Sequence, residues 1–283
     1  MGVFDWVKVM RPEQWYKNLL VFLAVFFSFN LFNFNKLALS FFGFIILIIL
    51  SSANYAVNDI TDRKNDLQDV SKKSRLIASR KVPVRNAAIF SIILFSAGLY
   101  LSYLISLKFF LLMLLFVVLS TAYSFYLKKE IFADILLISV NFAIRAAAGA
   151  VIINVYISPW LILCPFFLSL FLSVGKRRVE LADLGKKAAM HRNTLAQYTQ
   201  EMTTALMIIT TTILIIAYTF YTLTVDHELM FTVPVVLYAL FRYFQFVYSN
   251  SKIARNPELA LTDRRFAAAL ILWTAITFAV LYY

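Results

Sequence analysis

The 283-residue sequence is poor in the residues on which secreted and metal-binding domains often depend. It contains one cysteine, two histidines, six glycines and six prolines, and only 15% of its residues are charged. The lone cysteine, Cys164, excludes an internal disulfide and a cysteine-based metal site. So few glycines and prolines exclude a collagen-like or disordered chain. The charged fraction lies well below the value of about 25% that is usual in soluble domains, which argues against a water-soluble protein.

Hydrophobic residues make up 61% of the chain and occur in long runs along its whole length. The mean hydropathy is +0.77. A bilayer requires about 20 apolar residues per helix, and only helices satisfy their own backbone within such runs. The sequence therefore predicts an all-α, polytopic membrane protein made of a single domain, residues 1–283. The nine predicted transmembrane helices are 18–33, 38–57, 86–106, 109–127, 132–152, 157–174, 203–224, 230–248 and 267–283.

The basic residues predict the orientation of these helices. Of the 27 lysines and arginines, 23 fall at the N-terminus or in the loops after spans two, four, six and eight, and two fall in the opposite loops. By the positive-inside rule the richer side is cytoplasmic, so we expect the N-terminus inside and the C-terminus outside. The net charge of +12 reflects in part this topology, and no nucleic-acid partner is predicted.

The helix end after the second span carries an acidic face, and its members are Asn58, Asp59, Asp62 and Asp66. Asn54 extends this face one turn deeper into the membrane, because residues four apart share a side of a helix. Like charges at this spacing repel, so a compensating group is needed. A hard cation would compensate, and Mg²⁺ characteristically binds one or two carboxylates together with substrate phosphates. The alternative is a solvated helix end whose acids pair with Arg63 and Lys64.

A basic cluster follows the sixth span. Lys176, Glu180 and Asp183 fall on one helical face, and Arg177 and Arg178 flank it. Arginine forks bind phosphate oxygens in pairs, and lysine binds them as a point charge. The cluster therefore indicates a phosphate site, although a positive-inside cluster without a ligand has the same composition.

Polar residues also occur within the fifth span. Asp134, Asn141 and Arg145 are spaced seven and four apart and form one stripe. Ionisable residues inside a membrane face the bundle interior and are functional candidates. The alternative for Arg145 is a structural pairing with a carbonyl group or with Asp134. Tyr123 and Lys128 end the fourth span on the same side of the membrane.

Several sequence blocks resemble a known family. Asn58-Asp59-x-x-Asp62-x-x-x-Asp66 resembles the first acidic motif of the UbiA superfamily of membrane prenyltransferases. The resemblance extends to one branch, the polyprenyl-phosphate phosphoribosyltransferases. The blocks that carry it are Arg11-Pro12-x-Gln14-Trp15-x-Lys17-Asn18, Arg145-Ala146-x-Ala148-Gly149-Ala150, Ile157-Ser158-Pro159-Trp160-Leu161, Gly175-Lys176-Arg177-Arg178-x-Glu180-Leu181 and Asn256-Pro257-Glu258-x-Ala260-Leu261-x-Asp263-Arg264.

The resemblance implies an enzyme in a UbiA-type bundle of nine helices. It would transfer 5-phosphoribose from phosphoribosyl diphosphate (PRPP) to a polyprenyl phosphate in the plasma membrane, with Mg²⁺ as cofactor, for a cell-wall precursor. The active site would face the cytoplasm, and the oligomeric state is left open. The implied catalytic residues are Asp59, Asp62 and Asp66, and the implied metal ligands are Asn58, Asp62 and Asp66. The implied substrate-binding residues are Lys17, Asn18, Asn54, Arg75, Tyr123, Lys128, Asp134, Lys176, Arg177 and Glu180.

Two other functions compete with this prediction. The first is prenyl transfer from a prenyl diphosphate to an aromatic or other acceptor in the same fold. It predicts a second acidic motif after span six, where this chain has Lys176 and Arg177. The second is transport of an organic anion. Transporters commonly place polar groups near the bilayer midplane, whereas most of the polar groups here lie towards one side of the membrane.

Overall fold

The computed structural model describes residues 2–69, 72–184 and 194–283, and no strand occurs in any of these three ranges. Lys186, Lys187, His191 and Arg192, which the sequence places in the inner loop after span six, lie outside the described residues. The α-helices are α1 (Val3–Val9), α2 (Phe22–Phe27), α3 (Phe34–Gln68), α4 (Val84–Ile105), α5 (Leu107–Phe125), α6 (Ala133–Ile152), α7 (Pro159–Leu184), α8 (Gln200–Val225), α9 (Val233–Tyr248), α10 (Lys252–Arg255) and α11 (Arg264–Tyr282). Within the described ranges five 3₁₀ segments join them: Pro12–Val21, Leu127–Lys129, Leu195–Gln197, His227–Thr232 and Pro257–Thr262.

Eight helical segments in the described ranges are long and apolar enough to cross a membrane. They coincide with the second to ninth predicted spans, and the all-α membrane fold is confirmed. The first predicted span, 18–33, differs: the 3₁₀-helix Pro12–Val21 runs into the short helix α2. The chain then turns, and the side chain of Asn30 donates to the carbonyl of Ser28. Because these polar residues end the helix early, the predicted count of nine continuous spans is not confirmed.

Helix α3 continues well beyond the apolar run that predicted it. It begins after Asn33, whose side chain accepts from the N–H of Lys36, and its 35 residues continue to Gln68. Such a helix is about 52 Å long, whereas the hydrocarbon core of a bilayer is about 30 Å thick. Part of α3 must therefore project beyond the core, and the acidic face occupies its C-terminal part.

The chain divides into two compact units, Met1–Ile157 and Ser158–Tyr283. The first unit contains α1 to α6. A Cβ atom on Gly149 of α6 would lie 2.0 Å from the backbone oxygen of Val21, so only glycine permits this approach of α6 to the N-terminal segment. This close approach fixes the N-terminal segment against α6. The organisation as one domain remains a prediction.

The second unit contains α7 to α11. Phe171 of α7 packs on Tyr243 of α9, with ring centroids 5.2 Å apart. Tyr218 of α8 hydrogen-bonds to Thr232 at 2.6 Å and accepts a hydrogen bond from Trp273 of α11 at 2.7 Å. These buried aromatic and polar contacts hold the four long helices of this unit together.

Candidate active site

Two carboxylates of the acidic face share one arginine. Arg75, in the segment after α3, donates from Nη1 to Oδ1 of Asp59 at 3.2 Å and to Oδ2 of Asp66 at 2.8 Å. Arg11 also donates to Asp59, and its guanidinium lies 5.5 Å from the ring centroid of Tyr55. The side chains of Asp59 and Asp66 are only 7% and 5% exposed. The two carboxylates are therefore largely shielded from water, whereas the side chain of Arg75 is 26% exposed.

The third carboxylate is bound by a lysine. Lys128 lies in the 3₁₀ turn after α5, and its Nζ donates to Asp62 at 2.5 Å, to the hydroxyl of Thr61 at 2.9 Å and to the amide oxygen of Asn58 at 3.4 Å. The side chain of Lys128 is 10% exposed and that of Asp62 is 23% exposed. Two of the predicted metal ligands, Asn58 and Asp62, thus contact the ammonium of Lys128, which lies in the turn after α5.

The charges of the acidic face are balanced within the protein, because its three carboxylates meet three cationic side chains. The partners are Arg11, Arg75 and Lys128, and they replace the sequence neighbours Arg63 and Lys64 that the paired alternative named. This pairing removes the repulsion that otherwise destabilises closely spaced acids.

The same face presents the donor chemistry that Mg²⁺ prefers. Its side chains offer carboxylate and amide oxygens, which suit a hard cation. In the described part of the chain the buried amide oxygen of Asn54 also has no hydrogen-bond partner. No group of three or more acidic, histidine or cysteine side chains is clustered closely enough for a metal within the ranges that the structure covers. The donor types fit, and a bound cation would have to displace Lys128 from Asp62 or Arg75 from Asp66.

A second polar layer lies deeper along α3. Asn18 donates to Ser51 at 3.1 Å. Arg145 of α6 donates from Nε to the side-chain oxygen of Asn18 at 2.9 Å and from Nη1 to the carbonyl of Asn141 at 3.0 Å. Its guanidinium lies 4.8 Å from the ring centroid of Phe116. A carbonyl partner for Arg145, as the structural alternative named, is present, and it is that of Asn141.

Three further predicted substrate residues belong to the first unit. Asp134 is fully buried in the first turn of α6, and Tyr123 is half-buried near the end of α5. Lys17 is half-buried, and its Nζ lies 5.9 Å from the ring centroid of Tyr16. The contacts above form two groups at the end of α3, one of Asp59, Asp66 and Arg75 and the other of Asn58, Asp62 and Lys128. They place Asn18 in the deeper layer.

The basic cluster belongs to the second unit. Arg177 is buried and pairs with Glu180 one turn later on α7. Arg178 donates to the carbonyl of Gln200 at 2.9 Å, and its guanidinium lies 4.5 Å from the ring centroid of Tyr248. Arg178 therefore fastens α7 to the start of α8 and has a structural role. Lys176 is half-buried on the same helix.

Two residues that take part in these contacts, Arg11 and Thr61, were not predicted as site residues from the sequence. Arg11 appears only as part of the first sequence block, and Thr61 appears only within the acidic motif. In the structure Arg11 binds Asp59 across 48 positions of the chain. The sequence signal that could have pointed to Arg11 is its position directly before Pro12 in the N-terminal segment.

Residues 19–270 match the model of the UbiA prenyltransferase family. The chain belongs to this family. It is 29% identical to the decaprenyl-phosphate phosphoribosyltransferase of Mycolicibacterium smegmatis, over 98% of this chain and 92% of the relative. It is 28% identical to the protein of the same name from Mycobacterium tuberculosis, over 95% of this chain and 91% of the relative.

A solved structure of a UbiA homolog from Archaeoglobus fulgidus, bound to GPP and Mg²⁺, has the same fold. The TM-score is 0.74 and the sequence identity 21%, and the match covers 99% of this chain and 100% of the homolog. The resemblance drawn from the sequence blocks is thus confirmed. The chain is a multi-pass membrane transferase with the all-α fold of this family.

Proposed function

We propose that this enzyme transfers the 5-phosphoribosyl group from PRPP to a polyprenyl phosphate and releases diphosphate. The observation that carries the proposal is the interleaving of three carboxylates and three cations at the end of α3. Such a face offers both metal ligands and phosphate-binding groups for a donor that bears several phosphates. The names of the two mycobacterial relatives support the same substrates.

In this reaction an oxygen of the lipid phosphate attacks C1 of the ribose, the C1–O bond to diphosphate breaks, and diphosphate leaves with the bonding electrons. The nucleophile is already an anion, so no strong general base is required. Catalysis then depends on positioning the reactants and on stabilising the charge of the leaving group. Mg²⁺ on Asn58, Asp62 and Asp66 would supply a Lewis acid for the leaving diphosphate.

The chain's own cations have a second task in this proposal. Arg75 and Lys128 bind carboxylates in the structure, and we expect them to turn to the phosphates of PRPP when the carboxylates bind a metal. Lys17 would neutralise phosphate in the same way. Lys176 and Arg177 are expected to hold further phosphate oxygens, and Glu180 or Asp134 the ribose hydroxyls.

The alternative activity is prenyl transfer from a prenyl diphosphate. Its support is the fold match to a UbiA homolog bound to GPP and Mg²⁺. It would require a second set of metal-binding acids after the sixth span. In this chain Arg177 and Glu180 at that place form an ion pair with each other. Since a protonated arginine has no lone pair for a metal, this pairing favours the phosphoribosyl reaction.

The test is an assay of the purified protein with labelled PRPP and a panel of polyprenyl phosphates. We expect lipid-extractable label and an equal amount of released diphosphate, and no product when the acceptor is a prenyl alcohol. Asp66→Asn should abolish turnover. Asp69→Asn is the matched control, because Asp69 follows α3 and pairs with Lys72 at 3.1 Å. Label transfer from a prenyl diphosphate to an aromatic acceptor, without transfer from PRPP, would contradict the proposal.

We also propose that the acidic face lies on the cytoplasmic side, where PRPP would be available. The excess of basic residues in the loops on one side supports this orientation. The test uses single cysteines in a Cys164→Ser background: Lys73→Cys should react with an impermeant reagent only from the cytoplasm, and His227→Cys only from outside. The reverse pattern would invert the orientation.

A further inference from the structure

Arg145 and Arg242 both lie in the apolar part of a long helix, but their partners differ. Arg242 of α9 donates from Nε and Nη2 to the two oxygens of Asp263, at 3.2 and 2.7 Å. Arg145 of α6 forms no salt bridge with any carboxylate in the described ranges. Arg242 therefore has a counter-ion in the protein, whereas Arg145 has none among the residues that the structure describes.

The guanidinium of Arg145 also keeps unused donors. An arginine side chain carries five N–H groups. One on Nε binds Asn18, and one on Nη1 binds the carbonyl of Asn141. The other three form no hydrogen bond with any residue that the structure describes, although Arg145 is only 6% exposed. The guanidinium therefore has N–H donors on Nη1 and Nη2 that could bind an anion.

The surroundings of Arg145 make this arrangement unfavourable without a ligand. The rings of Phe116 and Phe142 lie with their centroids 4.8 and 5.6 Å from the guanidinium. A buried charge without a counter-ion is strongly destabilising, and ionisable residues that persist inside membrane helices usually serve a substrate or ion. The two neutral partners, Asn18 and the Asn141 carbonyl, do not neutralise the charge.

The level of Arg145 separates it from the acidic face. Asn18 connects Arg145 to Ser51 of α3, and Ser51 lies eight residues before Asp59. Eight residues of α-helix correspond to about 12 Å. Arg145 therefore lies deeper along α3 than the carboxylates, beside aromatic rings that suit an isoprenoid chain.

We propose that Arg145 binds the phosphate of the lipid acceptor. This inference rests on the proposed function. Planar guanidinium groups match phosphate oxygens in pairs, so the unused donors of Arg145 would orient the attacking phosphate. The water-soluble donor would instead meet Arg11, Arg75 and Lys128 at the end of α3. The apolar rings beside Arg145 and its depth along α3 distinguish the acceptor's phosphate from those of the donor.

The alternative is a purely structural role in which Arg145 holds Asn18 against α6. Two variants separate the roles. Arg145→Gln keeps a hydrogen-bond donor but removes the charge, whereas Arg145→Lys keeps the charge but removes the planar fork. If Arg145 binds phosphate, the affinity for a phosphate monoester should be highest in the wild type, lower in Arg145→Lys and lowest in Arg145→Gln. A structural role predicts no such order among folded variants.

The experiment titrates the full-length protein in micelles with farnesyl phosphate, a short isoprenoid monophosphate, and with farnesol as the uncharged control. Loss of charged hydrogen bonds is expected to weaken farnesyl phosphate binding by Arg145→Gln about 10- to 100-fold. Binding of farnesol and of PRPP should stay within about twofold of the wild type, because neither uses this guanidinium. Arg242→Gln is the matched control: it should lower the thermal midpoint through loss of the Asp263 contact and leave farnesyl phosphate affinity unchanged.

Unchanged farnesyl phosphate affinity in folded Arg145→Gln would overturn the inference, and so would a loss confined to PRPP. Should Arg145→Gln fail to fold, Arg145→Lys decides alone: weaker binding of farnesyl phosphate with unchanged binding of farnesol supports the inference, and unchanged binding of both overturns it. Turnover of wild type with PRPP is measured in parallel. Inactive wild type would refute the proposed function, whereas active wild type with an unaffected Arg145→Gln variant would refute only the role of Arg145.

Discussion

Replacing Lys128 by methionine removes the cation that Asp62 now binds and leaves a side chain of similar length. In the structure the ammonium of Lys128 also contacts Thr61 and Asn58. Two of its partners, Asn58 and Asp62, are proposed metal ligands. Lys128 and Mg²⁺ therefore compete for the same oxygens, and Lys128→Met should strengthen Mg²⁺ binding in the absence of substrate.

The size of this effect follows from the contact that is lost. Nζ lies 2.5 Å from the Asp62 carboxylate, and the two side chains are 10% and 23% exposed. A hydrogen bond between charged groups contributes about 1.5–3 kcal/mol. Since Asp62 is partly in contact with solvent, which weakens ion pairs, we take the lower value of about 1.5 kcal/mol. This corresponds to about a tenfold gain in Mg²⁺ affinity.

The assay is a calorimetric Mg²⁺ titration of the purified, substrate-free protein. Lys129→Met is the matched control, because Lys129 is the adjacent, exposed residue of the same turn, and it should bind Mg²⁺ as the wild type does. PRPP affinity of Lys128→Met should change in the opposite direction and fall. If Mg²⁺ affinity of Lys128→Met is unchanged or reduced, the lysine does not compete for Asp62, and the proposed ligand set is refuted.

Three further predictions concern stability. Asp59→Asn breaks ion pairs with two arginines and should lower the free energy of unfolding by about 3 kcal/mol. Asp62→Asn should lower it by about 1 kcal/mol. Both are measured by reversible unfolding in micelles, and equal losses would contradict the prediction. Gly149→Ala forces a backbone clash and should lose about 2 kcal/mol or more, seen as a lower thermal midpoint; an unchanged midpoint would show that the helix yields. The hydrogen bonds from Arg242 lower the pKa of Asp263 in the folded protein. The contact therefore contributes its full stabilisation above a pH of about 3.9, the usual aspartate pKa, and this stabilisation is lost as the pH falls through the lowered pKa of the folded state. Arg242→Gln removes this contact, so it should lower the thermal midpoint near neutral pH and reduce the further fall of the midpoint on acidification; an unchanged dependence of the midpoint on pH would contradict this.

The sequence predicted the parts of the fold that depend on local pattern. Long apolar runs determine where a helix can cross a bilayer, so the second to ninth spans were found at nearly their observed positions. The first span, 18–33, was harder because its apolar composition hides a change from 3₁₀ to α-helix and a turn at Ser28 and Asn30. The apolar composition of a stretch of residues does not show where a helix changes type or ends.

The acidic face was also predictable, because the period of a helix places Asn58, Asp62 and Asp66 on one side whatever the rest of the chain does. The partners of its acids were not. Lys128 and Asp62 are 66 positions apart, whereas rules for helical charge pairs consider neighbours three or four residues away. Local reasoning therefore named Arg63 and Lys64, and tertiary packing supplied other cations.

The pairing at the end of α3 bears on why this chain keeps so many buried charges. Buried ion pairs seldom stabilise a protein more than apolar residues of the same size would, so stability alone does not favour Asp59 and Asp66 at nearly buried positions. On the proposed function the same groups have a use that apolar residues lack. The carboxylates hold the cations in place, and both sets would change partners when metal and phosphates bind. Such an exchange leaves no charge uncompensated in either state, which is the condition under which a buried charged site remains compatible with a stable fold.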